Sequence, residues 1–313
     1  RSLLPASIEL LSGPGCPVCV TAQGEIDAAV DLARQKGVIL ATFGDLIRVP
    51  GTESSLQKEK ARGADVRIVY SASDAVEIAR QHPGKQVVFL GVGFETTAPT
   101  IAAAVLGAHR AGVDNFFVFA MHKIVPPALS ALMDTPGVNI DAFLLPGHVS
   151  VIIGTQAYEP FYQQYGVPCA VAGFEPADIL QAVLRLTEML ENHDSGLENC
   201  YARAVAPQGN PGARQIMDTV YEPCDAQWRG LGGIAKSGLQ FQQAFAAHDG
   251  KSRFRIEPAD VPPPSGCDCG EILTGKKTPP ECRLYKTRCT PLHPVGPCMV
   301  STEGTCAAYY KYQ

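Results

Sequence analysis

The chain is poor in charge: only 18% of its 313 residues are Asp, Glu, Lys or Arg, against about 25% in an average soluble domain. A disordered, self-repelling chain is excluded, and extensive burial is open to it. It contains a single tryptophan. No basic block or basic-aromatic interleaving occurs, and the net charge is −5, which argues against nucleic acid as a partner. Long hydrophobic runs are also missing. The longest, around Val87 to Phe94, falls far short of the roughly 18 residues that span a bilayer, so no membrane role is expected. GVGFET, from Gly91 to Thr96, lacks the rest of a GxGxxG, and no GxxxxGK[ST] occurs, so nucleotide binding draws no support. No charged-then-apolar leader opens the sequence, and the chain reads as soluble and cytoplasmic. Arg1 stands where a Met would open a complete protein, and it is expected to lie partway into a domain.

What the sequence has in quantity is cysteine. Eleven are present, an odd number in a long, core-rich chain, which argues for metal binding or redox chemistry over a secreted disulfide framework. Six lie between Cys267 and Cys306, so the chemistry is concentrated near the carboxyl end.

At roughly 150 residues per domain the length predicts two domains and a smaller third. From Ile8 to about Glu191, short apolar runs alternate with Gly/Pro/Thr/His turns and stretches of helical periodicity, the pattern of a parallel α/β sheet. The strand candidates are Ile8 to Leu11, Val38 to Thr42, Val66 to Tyr70, Val87 to Val92, Phe116 to Ala120, Ala142 to Leu145 and Ala170 to Ala172. Most are wholly apolar, as strands covered on both faces must be. Helices are predicted over Glu25 to Gln35, Asp74 to Gln81, Thr100 to Ala111, Pro127 to Met133 and Ala177 to Asn192. GFETTAP at Gly93 and GFEPAD at Gly173 repeat a Gly-Phe-Glu at a strand end, which points to two related lobes. The expected fold is therefore α/β, with two similar parallel-sheet lobes facing a cleft and a cysteine-rich C-terminal region. The lobes are drawn at 1–112 and 113–230 and the tail domain at 231–313. PPPSG, from Pro262 to Gly266, precedes the cysteines, and their segment has too little apolar periodicity to fold without cross-links or metal.

Three constellations carry the chemistry. The first is the tail, with Cys267, Cys269, Cys282, Cys289, Cys298 and Cys306. Four thiolates arriving from separate loops suit an iron–sulfur cube. A zinc site or disulfides remain alternatives, although none of these gaps is the short CxxC of zinc ribbons. Cys267, Cys282, Cys289 and Cys306 form one possible ligand set and leave Cys269 and Cys298 as a pair, with Cys267 against Cys269 as ligand open. The second is GPGCPVC, where Cys16 and Cys19 sit in a Gly/Pro turn ahead of a helix. That spacing closes a small disulfide ring, and a helix start favours the thiolate, so redox or iron handling is expected; half a zinc site or two inert buried thiols is the alternative. The third is a group of polar residues at strand ends: Glu95, Thr96 and Thr97, His122, His148, and Glu175 with Asp178. In open α/β sheets ligands bind beyond the carboxyl ends of the strands, so these residues are expected at one mouth. Cys169, Cys200 and Cys224 read as small buried hydrophobes, and Trp228 as a packing anchor.

Taken together, GPGCPVC, GFETTAPT, PGHVS, GFEPAD and the tail ending in GPCMVSTEGTCAAYY resemble the HypD family of hydrogenase maturation factors. The resemblance runs over essentially the whole chain. It implies two similar α/β lobes and a C-terminal [4Fe–4S] cluster held by Cys267, Cys282, Cys289 and Cys306. It implies a thiol pair at Cys269 and Cys298, a central CxxC at Cys16 and Cys19, and Glu303 near the cluster. It further implies a scaffold, rather than a free-standing enzyme, on which the Fe(CN)2CO group of [NiFe] hydrogenases is assembled with HypC. Cyanide would come from HypE, which is supplied through HypF, and the hydrogenase large subunit would be served indirectly. Family members carry an upstream Cys-Gly-x-His-type motif that holds iron with HypC. It is not in this sequence, and truncation is the expected reason.

On this reading soft thiolates hold a transient iron bearing CN and CO, while electrons reach it through thiol pairs. Glu95, Thr97, His122 and His148 orient the ligands. Two rival readings use the same residues: an iron–sulfur thiol-disulfide oxidoreductase acting on partner disulfides, and a two-lobed small-molecule binder with a structural zinc tail.

Overall fold

The computed structural model describes residues 4–312; Arg1, expected to open inside a domain, lies outside them. Four parallel strands form the first sheet: β1 (Val38–Thr42), β2 (Val66–Ile68), β3 (Gln86–Gly91) and β4 (Phe116–Ala120), in the order β2-β1-β3-β4. β1 and β4 are buried at every position, which is why they read as unbroken apolar runs. Alternate residues serve opposite faces. Ile39, Val87, Phe89, Phe116 and Val118 pack with the helices Ala72–Gln81 and Ala98–Arg110. Leu40, Val88, Leu90, Phe117 and Phe119 face the helix Gln23–Arg34. Ser71 opens the helix Ala72–Gln81 with a capping box closed by Asp74, which satisfies amides that the helix leaves unpaired.

A second parallel sheet contains β5 (Phe143–Pro146), β6 (Pro168–Ala172) and β7 (Gly196–Asn199) in that order. The chain then folds back as an antiparallel hairpin, β8 (Tyr221–Trp228) and β9 (Gly232–Phe241), with a register shift between Cys224 and Ala226. The α/β class is thus as expected.

Several boundaries differ. Ile8 to Leu11 forms no strand: Leu11 is 40% exposed, and an apolar run without a sheet neighbour leaves its backbone groups unpaired. β4 hydrogen-bonds to β3, so the first sheet continues beyond residue 112. The hairpin spans the division drawn between 230 and 231. The cysteine-rich tail shares the core of the first sheet. Cys269, Ile272, Leu273, Cys298, Met299 and Val300 belong to the same apolar cluster as Leu40, Leu90 and Val149.

The hairpin is pinned to the carboxyl end of the first sheet. Ile124 N donates to Ser237 O at 2.8 Å, and Thr21 bridges to Trp228. Trp228, 2% exposed, stacks on Phe94 and donates from Nε1 to Ser237 Oγ at 2.8 Å. It is an anchor, as the sequence predicts, and it ties the CxxC segment to the same sheet end.

Candidate functional site: two packed thiol groups and a cavity

GPGCPVC forms a turn into the short helix Pro17–Val20. Cys16 and Cys19 are joined as a disulfide, and both are buried. Cys16 Sγ accepts from the Cys19 amide at 3.2 Å. The pair does not stand alone: the helix that carries it packs against the helix Cys269–Leu273 and against the single turn Pro297–Met299, which hold Cys269 and Cys298.

All six tail cysteines line one cavity, together with Ile272, Leu284, Tyr285, Gly296 and Met299. Cys269 and Cys298 are free thiols whose sulfurs lie 2.6 Å apart, side by side on the cavity wall. Cys289 Sγ accepts from the Val295 amide at 3.3 Å. Burial and then the neighbouring thiols push the Cys306 thiol far up. The hydrogen bond that the Cys267 thiol donates to Cys269, and then burial, do the same for Cys267. Such thiols resist losing a proton unless a cation takes its place.

The donor set fits an iron–sulfur cluster on three observations. The thiols come from separate turns around one enclosed space. A Cβ on Gly296 would stand 2.7 Å from Cys267 Sγ, so glycine keeps that wall open. Tyr285 Oη is buried beside the thiols with no partner, a donor without an acceptor, and sulfide or thiolate sulfur is an acceptor of the right kind. Among the described residues no three His, Cys, Asp or Glu are drawn tightly enough for a single ion. A four-iron cube differs in that it spreads its ligands over separate corners.

The polar strand-end residues are divided. His122 lines a second cavity of about 420 Å³ bounded by Gln23, Glu25, Lys123, Lys251, the hairpin and residues 258–263. Glu95, Thr97 and His148 are not on its wall. Glu95 is buried, its Oε1 accepting from the Val125 amide at 2.9 Å while Oε2 has no partner. Desolvation lifts its carboxyl to about 7. Thr96 and Thr97 are half-buried at the entry to the helix Ala98–Arg110, and Thr97 makes no side-chain cap. His148 is exposed, and its ring lies tilted against Phe174 with ring centroids 4.3 Å apart. Glu303 is exposed and does not line the thiol cavity. Burial, then Asp45, raise its carboxyl while His148 opposes them, so PGHVS and the tail are electrostatic neighbours. Glu175 stands at the N-cap position of the helix Pro176–Glu191 without a side-chain cap, and Asp178 takes both guanidinium nitrogens of Arg203 at 2.7 and 2.6 Å. Cys169 is fully buried and its thiol is pushed to about 12 by burial. Cys200 and Cys224 are half-buried, and Cys224 lines the cavity with His122.

Two features escape the sequence pattern. One is the buried ion pair of Lys123 with Glu25, which no local signal announces. The other is Arg229, inside a WRGLGG segment notable in the sequence only for its tryptophan. It is 5% exposed, a burial that an arginine attains only with partners.

The architecture defines a class: an α/β protein in which a CxxC helix packs on a cavity lined by six further thiols. Comparison with known proteins gives the class its family. The family model described as "HypD: Hydrogenase formation hypA family" matches residues 1–313. Hydrogenase maturation factor HypD2 of Bradyrhizobium diazoefficiens is 45% identical over 320 residues, covering 100% of this chain and 84% of its own. HypD of Escherichia coli is 46% identical over 312 residues, covering 99% and 84%, and HypD of Cupriavidus necator 44% over 318, with the same coverage. The chain belongs to the HypD family. No helix among the described residues is long and apolar enough to cross a membrane.

Proposed function

We propose that this chain is a hydrogenase maturation factor, the scaffold on which, with HypC, iron receives its cyanide and carbon monoxide ligands before transfer toward the large subunit of a [NiFe] hydrogenase. HypE, supplied through HypF, is the source of cyanide. The iron with its diatomic ligands is cargo, and the scaffold lies in the cytoplasm. The observation that carries this reading is the packing of the Cys16–Cys19 helix on the two elements that hold Cys269 and Cys298.

Cys267, Cys282, Cys289 and Cys306 are the residues to hold a [4Fe–4S] cluster. When bound, the cluster supplies the electrons that attaching such ligands to low-valent iron demands and that side chains cannot store. Cys269 and Cys298 form a dithiol that yields two electrons and two protons on closing to a disulfide. Cys16 and Cys19 take up two electrons and two protons as their disulfide opens. The packed apolar surroundings of both pairs exclude water and stray oxidants. Of the polar strand-end residues only His122 lines the cavity beside the hairpin, so a ligand-orienting role falls to it and not to Glu95, Thr97, His148 or Glu303 as one set.

Anaerobic purification with subsequent metal and sulfide analysis tests the reading. Iron and acid-labile sulfide in equal amounts are expected, lost in Cys282→Ala while the circular dichroism of both sheets persists. Zinc without sulfide, or unchanged iron in that variant, overturns the ligand assignment.

The disulfide recorded between Cys16 and Cys19 favours one second reading, a thiol-disulfide oxidoreductase. Steady turnover of insulin disulfides without HypC would select it.

A further inference from the structure

The cavity at the carboxyl end of the first sheet contains a buried positive charge that no carboxylate answers. Arg229 donates from Nε to Thr21 O at 3.1 Å and from Nη1 to Gln23 Oε1 at 3.2 Å, both neutral acceptors. Its Nη2 is buried with no acceptor. Among the described residues it forms no salt bridge. Burying an unpaired guanidinium is costly, and an anion at the free nitrogen removes that cost.

The surrounding wall supports the same chemistry. Lys123 is already neutralised by Glu25, at 2.8 Å. Lys251 is half-buried on the wall, its ammonium 5.6 Å from the Phe119 ring centroid. His122 is 1% exposed with both ring nitrogens unpartnered. As a neutral imidazole it offers one donor and one acceptor. The other acids on the wall, Asp225 and Asp260, are exposed, and water screens them. Arg229 and Lys251 are therefore the cations of the wall that no carboxylate answers among the described residues. The volume, about 420 Å³, lies within the roughly 300–1,000 Å³ of small-molecule sites. Arg229 lines this cavity and not the thiol cavity.

We propose that the cavity binds a small organic anion whose carboxylate or phosphate group answers the charges of Arg229 and Lys251, the two cations on its wall with no carboxylate partner among the described residues. Arg229 and Lys251 line this cavity and not the thiol cavity, so anion titration fails or succeeds on a readout separate from the iron and sulfide content that tests the maturation reading.

Calorimetric titration of the anaerobically purified full chain with inorganic phosphate, and separately with acetate, tests it against sodium chloride at matched ionic strength. Trp228, the single tryptophan, lines the cavity, and its emission is a second readout. Saturable binding of at least one probe, with a change in that emission, is expected. Arg229→Gln should weaken it about tenfold or more, the effect of losing a charge-assisted hydrogen bond. Because Arg229 also ties down Thr21 and Gln23, Lys251→Gln is the companion variant that leaves those bonds intact, and it should weaken binding severalfold. Failure of both probes to saturate above the chloride control overturns the proposal. So does unchanged affinity in Lys251→Gln and Arg229→Gln together. Either result would leave the guanidinium serving only the sulfur of Cys267, whose thiol it influences.

Discussion

Lys123 Nζ meets both carboxylate oxygens of Glu25, at 2.8 and 3.0 Å, across 98 positions of sequence. The side chains are only 1% and 8% exposed. Glu25 Oε2 also accepts from the Ala22 amide at 2.9 Å, so one carboxylate starts the helix after the CxxC and locks it to the end of β4. Lys123→Met strands a buried carboxylate and should cost about 3–5 kcal/mol. The double variant Lys123→Met with Glu25→Gln should recover much of that loss, as chemical denaturation of the single and double variants would show.

Glu95 should make stability fall as pH rises. Its folded carboxyl holds a proton up to about 7, against an ordinary value of 4.5. Between those values the folded chain binds a proton that the unfolded chain has released, so unfolding free energy declines through that window and levels off above it. Glu95→Gln keeps an acceptor for the Val125 amide and removes the decline, a gain of up to about 3 kcal/mol near neutrality. Thermal midpoints of the two proteins should diverge steadily as pH rises from 4.5 to 7; parallel curves would refute the assignment.

His122 should act in the opposite sense. Burial first, then Lys251 and Lys123, depress its imidazole from 6.5 to about 3. Below the higher value the unfolded chain takes a proton that the folded chain refuses, so stability is lost as pH falls through the window. His122→Phe should flatten that acid loss in denaturation midpoints measured across the same range.

Gly296→Ala should damage the thiol cavity selectively. The new methyl would stand 2.7 Å from Cys267 Sγ, and overpacking of this kind costs about 1–3 kcal/mol. Reduced iron and sulfide content with unchanged sheet circular dichroism is the expected result. Full content would show that the Cys267 sulfur is free to shift.

Tyr285→Phe removes the unpartnered hydroxyl from the same cavity. Hydrogen bonds to cluster sulfurs stabilise the reduced, more negative state, so a more negative reduction potential at unchanged iron content is expected in a spectroelectrochemical titration.

Much of the fold is legible in the sequence because local periodicity suffices for buried parallel strands. β1 and β4 read at their observed limits, and β3 and β6 within two residues. β7 escapes because Gly-Leu-Glu-Asn is a short, half-buried edge segment with no apolar run. The hairpin escapes because β8 carries a proline and a register shift, while β9 contains three glycines. Their pairing comes from long-range hydrogen bonds that leave no clean alternation.

The sequence by itself determined the family and the α/β class, since both rest on short motifs and local apolar patterns. The positions of the cysteines along the chain, and the flanking glycines that let them approach, are likewise local. Only the tertiary structure decided which thiols meet, that the tail shares a core with the first sheet, and that the polar strand-end residues divide among different environments. It alone brought Arg229 beside Thr21 and Gln23, more than 200 positions away, and left one guanidinium nitrogen unanswered. Burial and proximity are properties of the packed chain, and residues so far apart acquire a shared environment only when the intervening sheets and hairpin close.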